Sequence, residues 1–156
     1  MIVKSPPEDF NDSYYHFAKD LEEYPDAGMY VVWSRRGPGK TYSFLRYCVD
    51  HDLFFIYMKR TNDDVKFLCT GTNDPDLKID TDPFIPLCRD FGWNIKPKLI
   101  DNGIGGFYEY NDEDKPVGAP LGLIVSMNRV TRLKGSDMAR ASWICFDEFI
   151  PQSTEI

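Results

Sequence analysis

The turn before Lys40 and Thr41 is the first place in this sequence where residue types and spacing could support chemistry. The segment SRRGPGKTY, residues 34–42, fits the phosphate-loop pattern G-x-x-x-x-G-K-[ST] at each fixed position except the first. Ser34 stands there in place of glycine. The motif alone leaves two hypotheses open, namely a nucleotide site or a tight strand-to-helix turn that needs only the glycines.

A polyphosphate binds where successive backbone N–H groups converge at the N-terminus of a helix. Gly37 and Gly39 would let the loop approach a phosphate closely, whereas Pro38 removes one N–H donor. In such a loop Lys40 would reach the β- and γ-phosphates of a nucleotide. The Thr41 hydroxyl would ligate Mg²⁺.

The segment WICFDEF, residues 143–149, supplies the second part of a nucleotide site. Four apolar residues lead into Asp147 and Glu148, so a buried strand would end in two carboxylates. One carboxylate at a strand tip can hold Mg²⁺, and a second beside it can polarise the attacking water. The two elements in this order predict a P-loop nucleotide hydrolase. The adjacent Asp-Glu pair favours ATP hydrolysis over phosphate transfer.

The elements that would position these residues follow from the apolar patterns. An apolar run predicts a buried strand over 29–34, followed by a helix over 40–50 and a second buried strand over 53–60. Together they form one β-turn-α-β unit. A third buried strand is predicted over 142–149, and aromatic residues at helical spacing predict a helix over 8–24.

Between the second and third strands we predict a helix over 62–70, a surface excursion over 71–86 and a β-meander over 95–125. The meander would turn at NGIGG and at DEDK, and a basic loop or short helix would follow it. The predicted fold class is therefore α/β, a P-loop NTPase. It would have a mainly parallel central sheet and an inserted β-meander.

The composition indicates one globular domain that does not coat nucleic acid. The chain has 156 residues, 42% apolar and 15% aromatic, and a net charge of −7. Such a chain can contact DNA only locally, which excludes a histone-like mode. The sequence contains no run of about 18 apolar residues to span a bilayer and no secretory pattern. Its four cysteines lack metal-ligand spacing, which predicts free thiols in a reducing cytoplasm.

Basic residues near these elements are further candidates, although each set could equally be a solvated surface. Those within the loop could sense a γ-phosphate, and those at the end of the second strand could face DNA or the nucleotide. The basic segment before the third strand could contact DNA or offer a charge to a neighbour's ATP. The predicted nucleotide-binding residues are Ser34, Arg35, Arg36, Gly37, Pro38, Gly39, Lys40, Thr41 and Tyr42, and the predicted DNA contacts are Lys59, Arg60, Arg129 and Arg132.

These residues resemble those of the genome-packaging ATPases of small tailed phages, of the phi-twenty-nine type. Those proteins are ring motors of the additional-strand P-loop class, related to the FtsK/HerA translocases. The resemblance rests on SRRGPGKTY, on FFIYMKR and on ICFDEFI, and the meander between them also fits. It covers residues 28–151, although only the two Walker elements are specific.

The resemblance implies ATP and Mg²⁺ as cofactors and assigns roles to individual residues. Arg36 matches the family's loop arginine, and Thr41 and Asp147 would hold the metal. The implied catalytic residues are Lys40, which binds phosphate, Glu148, which activates water, and Lys134, which acts in trans on the neighbouring subunit's nucleotide.

The resemblance also implies partners and a location. A homomeric ring of five subunits would dock on the portal, or connector, of a procapsid and drive double-stranded DNA inward. This would take place in the cytoplasm of a bacterial host, transiently at the portal vertex, with no membrane involved.

The resemblance implies a RecA-like core with further strands after Walker B, whereas the chain stops nine residues after Asp147. We therefore expect an incomplete core, the N-terminal part of one ATPase domain, with weak or absent hydrolysis by itself. Its predicted parts are an N-terminal lead-in (1–27), a Walker A unit (28–60), an insertion with the meander (61–141) and the Walker B segment (142–156).

Two alternatives remain open. The first is another DNA-translocating P-loop ATPase, such as a conjugation translocase or a helicase. The second is a non-catalytic nucleotide-binding assembly module, in which Glu148 is only a solvated acid.

Overall fold

The fold is described from a computed structural model. The structure describes residues 2–10, 14–32, 39–71, 82–130, 133 and 139–146. Within these ranges the elements are α1 (Phe17–Glu23), α2 (Lys40–Asp50), β1 (Phe55–Lys59), α3 (Asn62–Thr70), α4 (Ile85–Phe91), β2 (Ile95–Asp101), β3 (Ile104–Tyr110), β4 (Pro116–Ser126), α5 (Met127–Val130) and β5 (Trp143–Phe146).

The five strands form one mixed sheet in the order β2-β3-β4-β1-β5. β1 pairs in parallel with both β4 and β5, whereas β2, β3 and β4 form an antiparallel meander. The predicted α/β class and the meander are thereby confirmed. The meander is not a separate insertion, because β4 pairs with β1 from Phe55↔Gly122 to Lys59↔Ser126 and so makes the meander half of the central sheet.

The main core lies between one face of the sheet and helices α1 to α4. At its centre the fully buried Phe55 ring lies over Gly122, its partner on β4. A Cβ atom on Gly122 would be 2.5 Å from the Phe55 ring, so only glycine fits there. The rings of Phe44, Phe84 and Phe107 surround Phe55 at centroid distances of 6.0, 6.3 and 6.1 Å.

A smaller apolar cluster lies on the other face, here called the outer face. Its buried residues Ile56, Leu123 and Val125 come from β1 and β4. The residues packed against them are Phe54, Val130, Leu133 and Ala141. This cluster therefore covers β1 and the C-terminal half of β4.

Glycines in the β2–β3 hairpin allow α3 to lie close to the sheet. A Cβ on Gly103 would collide with Asn62 at the start of α3, and one on Gly105 would be 2.5 Å from the Cys69 sulfur near its end. Only Asn102 and Gly103 form the turn, so the predicted NGIGG turn is too long. Gly105 lies within β3, where close packing requires it.

The N-terminal residues form an arm along α2 instead of the first half of a predicted helix. Arg46 Nε donates to Ser5 Oγ at 2.9 Å and its Nη2 donates to the Pro6 carbonyl at 2.6 Å. Further along, the Phe17 N–H donates to Ser43 Oγ at 2.6 Å. Because these long-range bonds satisfy the backbone, the helix begins only at Phe17, and the prediction of a helix from residue 8 is wrong.

The predicted strand over 29–34 does not appear in its described part. Residues 29–32 carry no strand, and Met29 and Val31 are 78% and 66% exposed. The predicted strand over 142–149 does form as β5, but at the edge of the sheet, where Ile144 is 49% exposed. The β-turn-α-β unit is therefore confirmed only from α2 onward. Within the described residues, no strand pairs with the free side of β5.

Gly122→Ala should destabilise the protein, because the new methyl group would displace the Phe55 ring from a close-packed core. We expect the free energy of unfolding to fall by about 1–3 kcal/mol, measured by urea denaturation. Gly28→Ala is the matched control, because a Cβ there meets nothing within 4 Å. Equal stability of the two variants would contradict the packing described for Phe55.

Arg46→Met should also destabilise the protein, because it leaves the acceptors of the arm without their donor. The Arg46 side chain is only 13% exposed and also lies 3.8 Å from Asp50. We expect a loss of about 2–4 kcal/mol of unfolding free energy. Arg89→Met is the control, since its side chain is 73% exposed. A loss no larger than that of the control would show that the arm does not depend on Arg46.

Candidate nucleotide site

The short connection from α2 to β1 directs the N-terminus of α2 toward the edge of the sheet where the parallel strands end. α2 ends at Asp50 and only four residues join it to β1, so the chain reverses between them. The register pairs Lys59↔Ser126 and Met58↔Phe146 place the ends of β4 and β5 beside that of β1. Ligands of open α/β sheets bind at this carboxyl edge.

The start of α2 has the backbone geometry of an anion site. Gly39 is the N-cap residue and has a left-handed conformation with φ 81° and ψ 23°, which disfavours any residue with a side chain. The first intrahelical bond runs from the Ser43 N–H to the Gly39 carbonyl at 2.9 Å. The N–H groups of residues 40–42 come before that bond, at the position where the N-terminus of a helix binds an anion.

A comparison with α3 shows what α2 lacks. At the start of α3, Thr61 Oγ1 accepts from the Asp64 N–H at 3.1 Å, and Asp63 and Asp64 lie in the first turn. α2 has no side-chain cap and no acidic residue in its first turn, which instead contains Lys40. The helix dipole is positive at its N-terminus, so an anion bound there would interact favourably with both the dipole and the Lys40 ammonium. The residues present therefore fit a phosphate group.

Of the two predicted Mg²⁺ ligands, Thr41 and Asp147, the structure describes Thr41. Hard cations prefer oxygen ligands, and the Thr41 hydroxyl lies in the first turn of α2. Asp147 follows Phe146, the last residue of β5, and lies outside the described residues. In the described part of the chain, no three His, Cys, Asp or Glu side chains come together as a metal cluster.

Many predicted site residues lie outside the described residues, and their roles stay predictions. They are Ser34, Arg35, Arg36, Gly37, Pro38, Arg132, Lys134, Asp147 and Glu148. The structure describes Gly39, Lys40, Thr41 and Tyr42 at the start of α2, and Lys59, Arg60 and Arg129 near the same edge of the sheet.

The Tyr42 side chain binds another helix. Its hydroxyl donates to Asp90 Oδ2 at 2.7 Å, and its ring lies 6.4 Å from that of Phe91 on α4. Burial and the bond to Asp90 raise the pKa of Tyr42 to about 12. The phenol thus joins α2 to α4, and only the backbone N–H of Tyr42 remains for a phosphate.

Of the predicted DNA contacts, the structure describes Lys59, Arg60 and Arg129. Lys59 ends β1, with its Nζ 5.6 Å from the Tyr57 ring centroid, and Arg60 follows it. Arg129 Nη2 instead donates to Asp101 Oδ2 at 3.0 Å, and its side chain is 20% exposed. Its stem packs where Gly103 lacks a side chain, so Arg129 stabilises the β2–β3 turn, and its DNA contact stays a prediction.

A buried polar pair at this edge was not predicted from the sequence. Ser126, at the end of β4, is fully buried and its hydroxyl donates to Asn62 Oδ1 at the start of α3. The Ser126 N–H also donates to the Gly103 carbonyl at 3.0 Å. These bonds fix the end of β4 beside Lys59. A serine after an apolar run carries no signal that would have identified it.

No family model, curated protein or solved structure matches this chain. Among the described residues, no helix is long and apolar enough to cross a membrane. The function must therefore be argued from the geometry of the α2 N-terminus and from the sequence around it.

Proposed function

We propose that this chain is the nucleotide-binding part of an ATP-hydrolysing motor that moves double-stranded viral DNA into a procapsid. The observation that carries the proposal is the start of α2, where Gly39 has a left-handed conformation and precedes Lys40 and Thr41 in a first turn without a side-chain cap. The strand β5, parallel to β1, leads directly into the sequence Asp147-Glu148. The proposal also rests on the resemblance to packaging ATPases in both Walker elements.

In this proposal each residue of the site has a defined task. The N–H groups at the start of α2 and the Lys40 ammonium would hold the phosphate oxygens of ATP. Bound Mg²⁺ would neutralise charge on the β- and γ-phosphates, and Thr41 and Asp147 would be its protein ligands. Glu148 would orient the attacking water and accept its proton. Lys134 of a neighbouring subunit would stabilise the developing charge.

The proposed DNA contact is local and electrostatic. The net charge of −7 disfavours DNA over most of the surface, so binding would depend on a few cations. Lys59 and Arg60 lie at the end of β1, on the same edge as the start of α2. With Arg132 they form the proposed DNA-contact set, which a ring of subunits would direct toward a central duplex.

One sequence observation favours a second candidate, a nucleotide-binding assembly module without turnover. Ser34 replaces the first loop glycine and Pro38 removes an N–H donor, so both changes weaken a phosphate loop. A module that only binds nucleotide tolerates such changes better than a motor does. The two candidates differ in what Glu148 contributes.

Lys40→Ala should weaken the binding of MgATP, because it removes the only charge in the first turn of α2. We expect the affinity to fall at least about tenfold, since charge-assisted bonds to phosphate are stronger than neutral ones. Isothermal titration with ATP measures it. Lys66→Ala is the control, because Lys66 is an exposed lysine on α3. Unchanged affinity in Lys40→Ala would contradict the nucleotide site.

Glu148→Gln should separate a motor from a binding module. In a motor the variant keeps its affinity for ATP but loses turnover by about 10²–10⁴-fold, because a general base is lost. Turnover is measured as phosphate release with and without double-stranded DNA. Equal phosphate release by wild type and variant, with ATP binding intact in both, would support the binding module instead.

A further inference from the structure

The outer face of the β2–β3 hairpin carries lysines and tyrosines in alternation with core residues. On β2, Lys96 and Lys98 are exposed, whereas the neighbouring Ile95 and Leu99 pack into the main core. On β3, Tyr108 and Tyr110 point to the same side as these lysines, because Lys96 is paired with Tyr108. Lys96, Lys98, Tyr108 and Tyr110 are called the Lys–Tyr face below.

Each lysine of the Lys–Tyr face lies over a tyrosine ring. Lys98 Nζ is 5.9 Å from the ring centroid of Tyr108, and Lys96 Nζ is 5.2 Å from that of Tyr110. Lys96 also bonds to Asp114 at 2.6 Å, a contact between exposed side chains. Two cations thus lie beside two aromatic rings, and Lys98 has the less compensated charge of the two.

The Tyr108 ring lies beside Gly106 on the outer face of the sheet. A Cβ on Gly106 would be 2.9 Å from Tyr108 Cε2, 3.1 Å from Pro120 Cβ and 3.4 Å from Ile100 Cδ1. The missing side chain therefore makes room for the ring, which rests on an apolar surface. Ile100 beside it is 50% exposed. The ring is oriented by packing before any ligand binds.

The described elements leave this part of the outer face open. α3 packs on the opposite side of the hairpin, against Gly103 and Gly105. The apolar residues that cover the outer face, such as Val130 and Leu133, pack on β1 and the C-terminal half of β4. On the Lys–Tyr face, Lys96 and Lys98 are exposed, and Tyr108 and Tyr110 are half-buried.

We propose that the Lys–Tyr face binds single-stranded nucleic acid. Aromatic rings on a sheet face stack with unpaired bases, and lysines beside them bond to the phosphates. The strand repeat places the Tyr108 and Tyr110 rings about 7 Å apart, about twice the rise of stacked bases. A stretched single strand can therefore place one base on each ring, whereas the bases of a duplex are stacked on one another.

Single-stranded nucleic acid fits this face better than a protein partner does. It presents flat rings and negative charges in alternation, which complements both residue types of the face. Phosphates would displace Asp114 from Lys96, so Lys98 contributes the larger part of the charge. The face belongs to β2 and β3, remote in the strand order from β5, so the inference goes beyond the proposed ATPase and does not depend on it.

The test is binding of the 156-residue chain, without nucleotide, to three fluorescein-labelled oligomers: dT15, rU15 and a 15-base-pair duplex. Fluorescence anisotropy should show tighter binding of at least one single strand than of the duplex. Tyr108→Ala should weaken that binding about tenfold or more, and Tyr108→Phe should retain it, because a phenyl ring still stacks. Lys98→Gln should reduce the slope of log K against log salt by about 0.7.

Tyr24→Ala and Lys66→Gln are the matched controls, an exposed tyrosine and an exposed lysine that lie outside the face. Both should bind as the wild type does. Tyr110→Ala replaces Tyr108→Ala if thermal unfolding shows that the latter is not folded. Equal affinity for the duplex, or unchanged affinity in both tyrosine-to-alanine variants, would overturn the proposal. Equal binding of polyglutamate would also overturn it and would indicate an acidic protein partner.

Discussion

The contact between the Phe55 ring and Gly122 is the constraint on which the other packing depends. The contact sets how closely the side chains of β1 and β4 pack in the main core. It also joins the parallel half of the sheet to the meander. Phe44 of α2, Phe84 and Phe107 of β3 all pack around this ring. Because protein interiors are close-packed, the position of α2 against the sheet follows from this cluster. The position of its N-terminus, the candidate site, follows in turn.

The two ends of α2 differ in the groups that contact them, and the helix dipole is relevant to both. At the C-terminus Lys4 donates to the Val49 carbonyl at 3.0 Å, a cation at the negative end of the dipole. The arm thereby satisfies that end within the chain. At the N-terminus Gly39 offers no side-chain cap, and the first turn contains Lys40 and no acidic residue. The arm therefore binds the C-terminal end of α2, and the candidate site lies at the N-terminal end.

Glycines in and next to β3 serve both faces of the sheet. Gly103 and Gly105 let α3 approach the main-core side, where Asn62 and Ser126 then meet at the carboxyl edge. Gly106 leaves space on the outer side for the Tyr108 ring. The same short segment thus supports the edge that bears the candidate nucleotide site and the face proposed for single-stranded nucleic acid. Since the two sites use opposite sides of the sheet, each proposal can fail without the other.

The sequence by itself determined the elements whose signals are local. Glycine turns and apolar runs predict α2, β1, α3 and the meander. The motif Gly39-Lys40-Thr41 is likewise visible in the sequence. The tertiary structure alone decided which partners these elements have. It placed β5 at an exposed edge, left residues 29–32 without a strand, and paired Arg129 with Asp101. The physical reason is that periodicity shows which residues can be buried, whereas burial itself requires a neighbour from a distant part of the chain.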